Sequence, residues 1–250
     1  RIDADVRRGR GATGNPTGRF EPRAKVTADR QFHYADLGWT ADPESEPAPL
    51  QTTVSEDQTR SIIAHNASPD LSFSQSINPY RGCEHGCVYC FARPTHEYFG
   101  LSVGLDFETK LFAKPNAAAL LRQELASPRY KPSVMAIGTN TDPYQPVERK
   151  LGIMRSILEV LSECNHPVGI VTKSHLITRD VDILADMAKR NLVMANLSVT
   201  TLDRGLARRL EPRAATPPKR IEAIRILAEA GVPMGVMNAP IIPGLNDVEI

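Results

Sequence analysis

The chain has 250 residues, 41% of them hydrophobic, which is room for one large domain or for one domain with an extended tail. Its 30 basic and 29 acidic residues leave a net charge of +1, so composition alone makes no case for a polyanionic partner. No run approaches the roughly eighteen apolar residues of a membrane span, and the basic, Gly-rich start RIDADVRRGRGATGNP lacks the apolar stretch of a secretion signal.

Residues 1–70 read as a polar N-terminal arm. The first thirty carry eight Arg or Lys against four acids, and residues 31–59 carry six acids, three prolines and no Lys or Arg. Such polarity cannot offset the ordering entropy of a packed core, so a largely extended or disordered, solvated arm is expected. Its basic part would meet phosphates only if the acidic part did not already occupy it, so nucleic acid is a disfavoured partner. The text RSIIAHN at 60–66 is the exception, with the makings of a strand or a short docking segment. The first residue is Arg rather than Met, so a few residues are expected to precede it.

From residue 71 onward, strand and helix signals alternate. Short β-rich runs fall at 71–77, 133–138, 168–172, 192–200 and 233–241. Between them, Leu151, Met154, Leu158 and Leu161 recur on one helix face. Val181, Leu184 and Ala188 do so after Thr178, a candidate N-cap. A last helix is marked by Thr216 as cap, Pro217 in the first turn, Ile221, Ile224 and Ala228 along a face, and Gly231 at the end. Repeated β-α units predict an α/β domain over 71–250 with a parallel sheet, open or closed into a barrel, whose chemistry sits at the C-terminal ends of the strands. The sequence ends at a helix start after the fifth strand, which would leave an open edge, so the expectation is either that the protein is longer or that something else covers that edge.

There are four cysteines, and three of them, Cys83, Cys87 and Cys90, fall within eight residues just after the first strand, in NPYRGCEHGCVYC. Three such close thiols cannot all pair as disulfides, and clustered thiols without an export signal fit a metal site in a reducing compartment, the cytosol. A structural zinc site needs a fourth ligand; His85 could supply it only by doubling back between two of the cysteines. An iron–sulfur cluster held by three thiolates leaves one iron open for an outside ligand. Cys164, remote from the other three, reads as an inert structural thiol.

The CxxxCxxC spacing with Tyr89 just before the last Cys resembles the signature of the radical S-adenosylmethionine (SAM) superfamily. The resemblance implies a partial (β/α)6 barrel, one strand longer than this text shows, a 4Fe–4S cluster on Cys83, Cys87 and Cys90, and SAM chelating the open iron. It implies reductive cleavage of SAM to a 5′-deoxyadenosyl radical that abstracts a hydrogen atom, a reaction of lyase or oxidoreductase kind. A small electron-donor protein of flavodoxin or ferredoxin type is then an expected partner. Tyr89 would lie against the adenine. The text GTNTDP at 138–143 departs from the usual Gly-Gly-Glu wording and looks like the variant of the branch containing spore photoproduct lyase; Thr139, Asn140 and Asp142 are candidates to hold the SAM ammonium. Lys173, ending the third strand, resembles that branch's carboxylate-binding lysine. In the fourth strand Asn196, Ser198 and Thr200 share one face by the two-residue period, and Ser198 and Thr200 are candidate SAM contacts. His96 and Tyr98, in text shared with that branch, could face substrate or pack locally. The rival class is a non-catalytic electron-transfer or sensing protein.

Overall fold

The structure, a computed structural model, describes residues 9–18 and 51–249; the arm expected over 1–8 and 19–50, and the last residue, lie outside the described residues. Five parallel strands form where the β-rich runs place them: β3 (Gln75–Ile77), β6 (Met135–Ile137), β7 (Val168–Thr172), β8 (Val193–Ser198) and β9 (Met234–Met237), hydrogen-bonded in that order. Ahead of them β2 (Ile63–His65), inside the 60–66 segment, adds an antiparallel edge through Ile63↔Ile77 and His65↔Gln75. The sheet therefore begins before residue 71. Ile62 and Ile63 are buried, and Glu124 accepts both of their backbone N–H groups.

The runs were legible because strands covered by helices are apolar over most of their length. On β8, Ala195 and Leu197 are fully buried against the helices, whereas Met194 is 49% exposed and Asn196 half-buried on the opposite face. The helix-side core joins Ile137, Ile170, Ala195 and Leu197 to Ile157 and Leu158 of α4 (Ile153–Glu163), Leu184 of α5 (Val181–Lys189) and Leu227 of α7 (Pro217–Glu229). Smaller helices α1 (Leu105–Thr109), α2 (Ala117–Leu125), α3 (Glu148–Leu151) and α6 (Arg204–Leu210) complete the set. Among the described residues no helix is long and apolar enough to cross a membrane.

Three helix assignments need correction. Leu151 does not share the α4 face: it is 44% exposed and ends α3, because Gly152 takes a left-handed conformation (φ 65) that closes one helix and opens the next. Thr178 does not cap α5; its hydroxyl donates to the His175 carbonyl within a 3₁₀ segment, His175–Asp180, capped by Ser174. On α7, Thr216 is the N-cap residue as expected, but the buried stripe is Pro217, Arg220, Ala223 and Leu227 rather than Ile221, Ile224 and Ala228. The helix is turned because a buried arginine, described below, faces inward.

A second sheet escaped sequence reading. β1 (Thr53–Glu56) pairs parallel with β5 (Lys110–Ala113), which pairs antiparallel with β4 (Tyr80–Arg81). This small sheet sits immediately before the cysteine loop and steers the chain into it.

Candidate functional site

After β4 the backbone enters residues 83–90, a loop held from several directions. Cys83 N–H donates to the Phe107 carbonyl at 2.9 Å. The buried amide of Gln145 accepts from Glu84 N–H at 2.9 Å and donates to the Gly82 carbonyl at 3.1 Å, bracketing Cys83. Arg213 N–H donates to the His85 carbonyl, and Val88 N–H to the Leu210 carbonyl. Arg93 donates from Nε and Nη2 to the Cys87 carbonyl at 3.2 and 2.9 Å. These contacts engage backbone, so the three thiols are left to face one cavity.

That cavity gathers Cys83, Cys87 and Cys90 with Tyr89, Thr139, Asn140, Asp142 and Lys173. Ser198 and Thr200 are not part of its lining. The two strand ends opposite the cysteines approach closely: Gly138, after β6, has φ 89, and a Cβ there would lie 2.0 Å from the Val171 carbonyl oxygen. Only glycine fits, and this brings Thr139 and Asn140 alongside Lys173. The side chains of Thr139 and Asn140 take no hydrogen-bond partner among the described residues; the Asn140 backbone N–H donates to Asn78 Oδ1. The Lys173 ammonium lies 5.9 Å over the ring of Tyr89 and forms no ion pair among the described residues.

Asp142 faces the cavity with both oxygens already engaged. Oδ1 accepts from Thr172 Oγ1 at 2.7 Å and from Tyr144 N–H at 2.9 Å; Oδ2 accepts from Lys173 N–H at 2.8 Å and lies 3.3 Å from His85 Nδ1. Burial alone would raise its pKa, but His85 and these donors outweigh burial and bring it down to about 2. Asp142 thus ties the end of β6 to the end of β7, and His85 is its partner. His85 is 2% exposed, and nothing in the sequence marked this pairing beyond the proximity of both residues to strand ends.

The thiols test what the cavity could hold. Burial, then Asp142 and Cys87, push the Cys83 thiol well up; Cys87 is pushed up to about 12 by burial first, with Lys173 opposing and Glu211, Cys90 and Asp142 adding. Thiolates there require a compensating cation, as a metal centre supplies. Among the described residues no group of three His, Cys, Asp or Glu is placed to hold a single metal ion. A 4Fe–4S cubane bound by three thiolates attaches each to a different iron, so its ligands need not converge on one point. The donor set fits such a cluster and, among the described residues, lacks the closed fourth ligand of a structural zinc site.

Sequence reading missed the anchor behind Tyr89. Its hydroxyl donates to the buried Glu211 carboxylate and lies 3.2 Å from Thr200 Oγ1; Thr200 itself donates to Glu211 at 2.6 Å. Arg220, 1% exposed, pairs with the same carboxylate and donates to the Ser198 carbonyl at 2.8 Å. Thr200 is therefore part of the support of Tyr89, and the Ser198 backbone is tied to α7. The only signal was Glu211 and Arg220 flanking a Pro-rich turn, a pattern indistinguishable from surface charge.

His96 packs away from the cavity: fully buried, its ring meets Phe107 edge-on at 5.3 Å, and Nε2 lies 2.9 Å from the Lys110 carbonyl. Tyr98 is 77% exposed. Cys164 is exposed at the C-terminal end of α4, at the end of the sheet opposite the cavity.

Comparison with known proteins agrees with this geometry. The sequence pattern of the Radical SAM superfamily matches residues 77–250. Uncharacterized protein Rv2578c of Mycobacterium tuberculosis is 41% identical over 177 residues, 71% of this chain and 52% of its own length. Uncharacterized protein MJ0683 of Methanocaldococcus jannaschii is 29% identical over 174 residues, 69% of this chain and 62% of its own. The chain thus spans about half the length of the mycobacterial relative. Spore photoproduct lyase complexed with dinucleoside spore photoproduct superposes with a TM-score of 0.55 at 16% identity, over 76% of this chain and 51% of the lyase. A double mutant of that lyase with bound AdoMet and the dinucleoside gives 0.55 at 18% identity, over 75% and 51%. At such identities the likeness is one of fold. With three cysteines facing a cavity at the ends of parallel strands, and the family pattern running from the first parallel strand to the last residue, the chain belongs to the radical SAM superfamily.

Proposed function

We propose that this chain is an enzyme that binds a 4Fe–4S cluster on Cys83, Cys87 and Cys90 and SAM across the ends of β6 and β7. The observation that carries the reading is the sharing of one cavity by three thiols, the side chains of Thr139 and Asn140, which take no hydrogen-bond partner among the described residues, and Lys173, which forms no ion pair among them. With both bound, the site would supply one electron to the sulfonium and release a 5′-deoxyadenosyl radical for hydrogen abstraction from substrate. Lys173 would neutralise the SAM carboxylate, Thr139 and Asn140 would bind its polar groups, and Tyr89 would present its ring to the adenine. Asp142 would act one step back, fixing the backbone of Lys173. A reduced flavodoxin- or ferredoxin-type protein would be the electron donor.

The test is anaerobic reconstitution followed by an assay for 5′-deoxyadenosine with dithionite and SAM. Formation of 5′-deoxyadenosine that requires both supports the proposal. A stable cluster that never yields it would favour an electron-transfer or sensing protein. Lys173→Ala should weaken SAM binding about ten- to a hundred-fold, since a charge-assisted hydrogen bond contributes roughly 1.5–3 kcal/mol. Calorimetry on reconstituted protein measures it, and unchanged affinity removes Lys173 from the site.

A further inference from the structure

The basic, Gly-rich text at the start of the chain is absorbed by none of the chemistry above, yet part of it is well packed. Residues 9–18 lie against the cysteine loop and the segment leading into α1. Arg10, 8% exposed, donates from Nη1 to the Glu108 carbonyl at 2.8 Å and from Nη2 to Thr52 Oγ1 at 2.9 Å. Thr52 passes its own hydrogen to Glu84 Oε1 at 2.7 Å, inside the loop. The next two backbone N–H groups, of Gly11 and Ala12, donate to the two oxygens of the fully buried Glu108 carboxylate at 3.0 and 2.8 Å.

That carboxylate also receives Arg93 Nη2 at 2.7 Å, and Arg93 is the side chain that holds the Cys87 carbonyl. A connected path therefore runs from the N-terminal segment through Glu108 and Arg93 to a cysteine backbone, and a second runs through Thr52 to Glu84, next to Cys83. The packing is as close as backbone allows: a Cβ on Gly11 would lie 1.8 Å from the carbonyl oxygen of Gly86, the residue immediately before Cys87. Further along, Gly14 O accepts from Leu105 N–H at 3.2 Å, and Asn15 and Asp106 exchange two hydrogen bonds.

We propose that residues 9–18 are a second segment of the cysteine site, a strap in which Arg10 and Gly11 are positioning residues that hold the 83–90 loop in its metal-receiving shape. A solvated tail would leave the Arg10 guanidinium in water and would tolerate any side chain at position 11. Here the guanidinium is buried on fixed acceptors and position 11 admits no side chain, so the segment and the loop are fitted to each other. Removing either fit lets the loop open locally, which exposes Cys83 without unfolding the sheet.

The inference rests on reading 83–90 as the metal-holding loop, and the experiment separates the two. In metal-free full-length protein, the rate of iodoacetamide labelling at Cys83 is followed by peptide mass spectrometry for wild type, Arg10→Gln, Arg10→Lys, Gly11→Val and Thr52→Val. The same proteins are then reconstituted anaerobically and challenged with a chelator to measure iron retention. The expected result is labelling of Cys83 about tenfold or more faster in Arg10→Gln and Gly11→Val, with faster iron loss and a melting transition close to wild type. Arg10→Lys should recover part of the protection, because it restores the charge without the two-armed fork. Thr52→Val, which removes the hydroxyl that accepts from Arg10 and donates to Glu84 but leaves the Arg10 bond to the Glu108 carbonyl and the Gly11 contact in place, should have a smaller effect of the same sign. Wild-type labelling and iron retention in both Arg10→Gln and Gly11→Val would overturn the proposal. If either of those variants unfolds, Thr52→Val decides by the same criterion. A wild-type protein that takes up no iron would instead sink the reading of the cysteine site, while the labelling rates would still report on the strap.

Discussion

Replacing Cys83, Cys87 or Cys90 by Ala should abolish the visible absorbance and the bound iron of the reconstituted protein, whereas Cys164→Ala should keep both. The reason lies in the surroundings of the thiols. Burial pushes Cys83 and Cys87 toward the neutral thiol, so each is deprotonated only if a metal centre balances the charge. A cluster with three protein thiolates already has one iron without a protein ligand; a second vacancy leaves two thiolates to hold it. No fourth donor stands ready to substitute among the described residues, because His85 is tied to Asp142. Cys164 is exposed at the far end of the sheet. Iron per chain and absorbance after anaerobic reconstitution measure the outcome. Iron lost from Cys164→Ala, or retained in all three of the other variants, would refute the assignment.

Arg220→Met should lower the stability of the fold by about 3–5 kcal/mol, the range found when one partner of a buried ion pair is removed and the other charge stays behind. Arg220 is 1% exposed, and its guanidinium reaches Glu211, the Ser198 carbonyl and the Ala215 carbonyl at once. Burial acting alone would raise the Glu211 pKa; Arg220 first, then the hydroxyls of Thr200 and Tyr89, reverse this and bring it below the ordinary 4.5. A depressed carboxylate stabilises the fold above its unfolded pKa, and that contribution is lost as pH falls through the folded value. In Arg220→Met burial dominates, Glu211 moves upward, and proton uptake becomes favourable to folding. The stability gap between wild type and variant should therefore narrow from about pH 7 to about pH 5. Urea denaturation at both pH values measures it. A gap under about 1 kcal/mol, or one that widens on acidification, counts against this account.

The parallel sheet could be read in the sequence because its strands are short apolar runs set between helix-period segments, and 168–172 coincides with β7. The cysteine cavity was readable for a different reason: ligands from one loop keep their spacing in the chain, and residues that follow parallel strands are brought together by topology. Hence Thr139, Asn140, Asp142 and Lys173 meet the cysteines. What stayed hidden depends on partners far apart in the chain. Arg10 and Glu108 are 98 residues apart, and either alone looks like solvated charge. β5 has four residues and no period, and its partner β1 lies in an acid-rich stretch. The α7 face was misjudged by one position because an inward arginine breaks the rule that apolar residues mark the core side. Ser198 and Thr200 follow the two-residue period but not the cavity, since Thr200 is engaged by Glu211 and Tyr89.

The anchoring of Tyr89 also bears on selectivity in the proposed chemistry. A phenolic O–H is a comparatively weak bond, and a carbon-centred radical formed nearby would take its hydrogen in preference to many C–H hydrogens of a substrate. Tyr89 lines the cavity, but its hydroxyl is bound to Glu211 and Thr200, neither of which belongs to the cavity lining. The oxygen lies at the ring edge against these two side chains, while Lys173 lies over the ring face. In the proposed chemistry the protein would thus present an aromatic surface beside a radical while the one easily lost hydrogen of that side chain is held by Glu211 and Thr200.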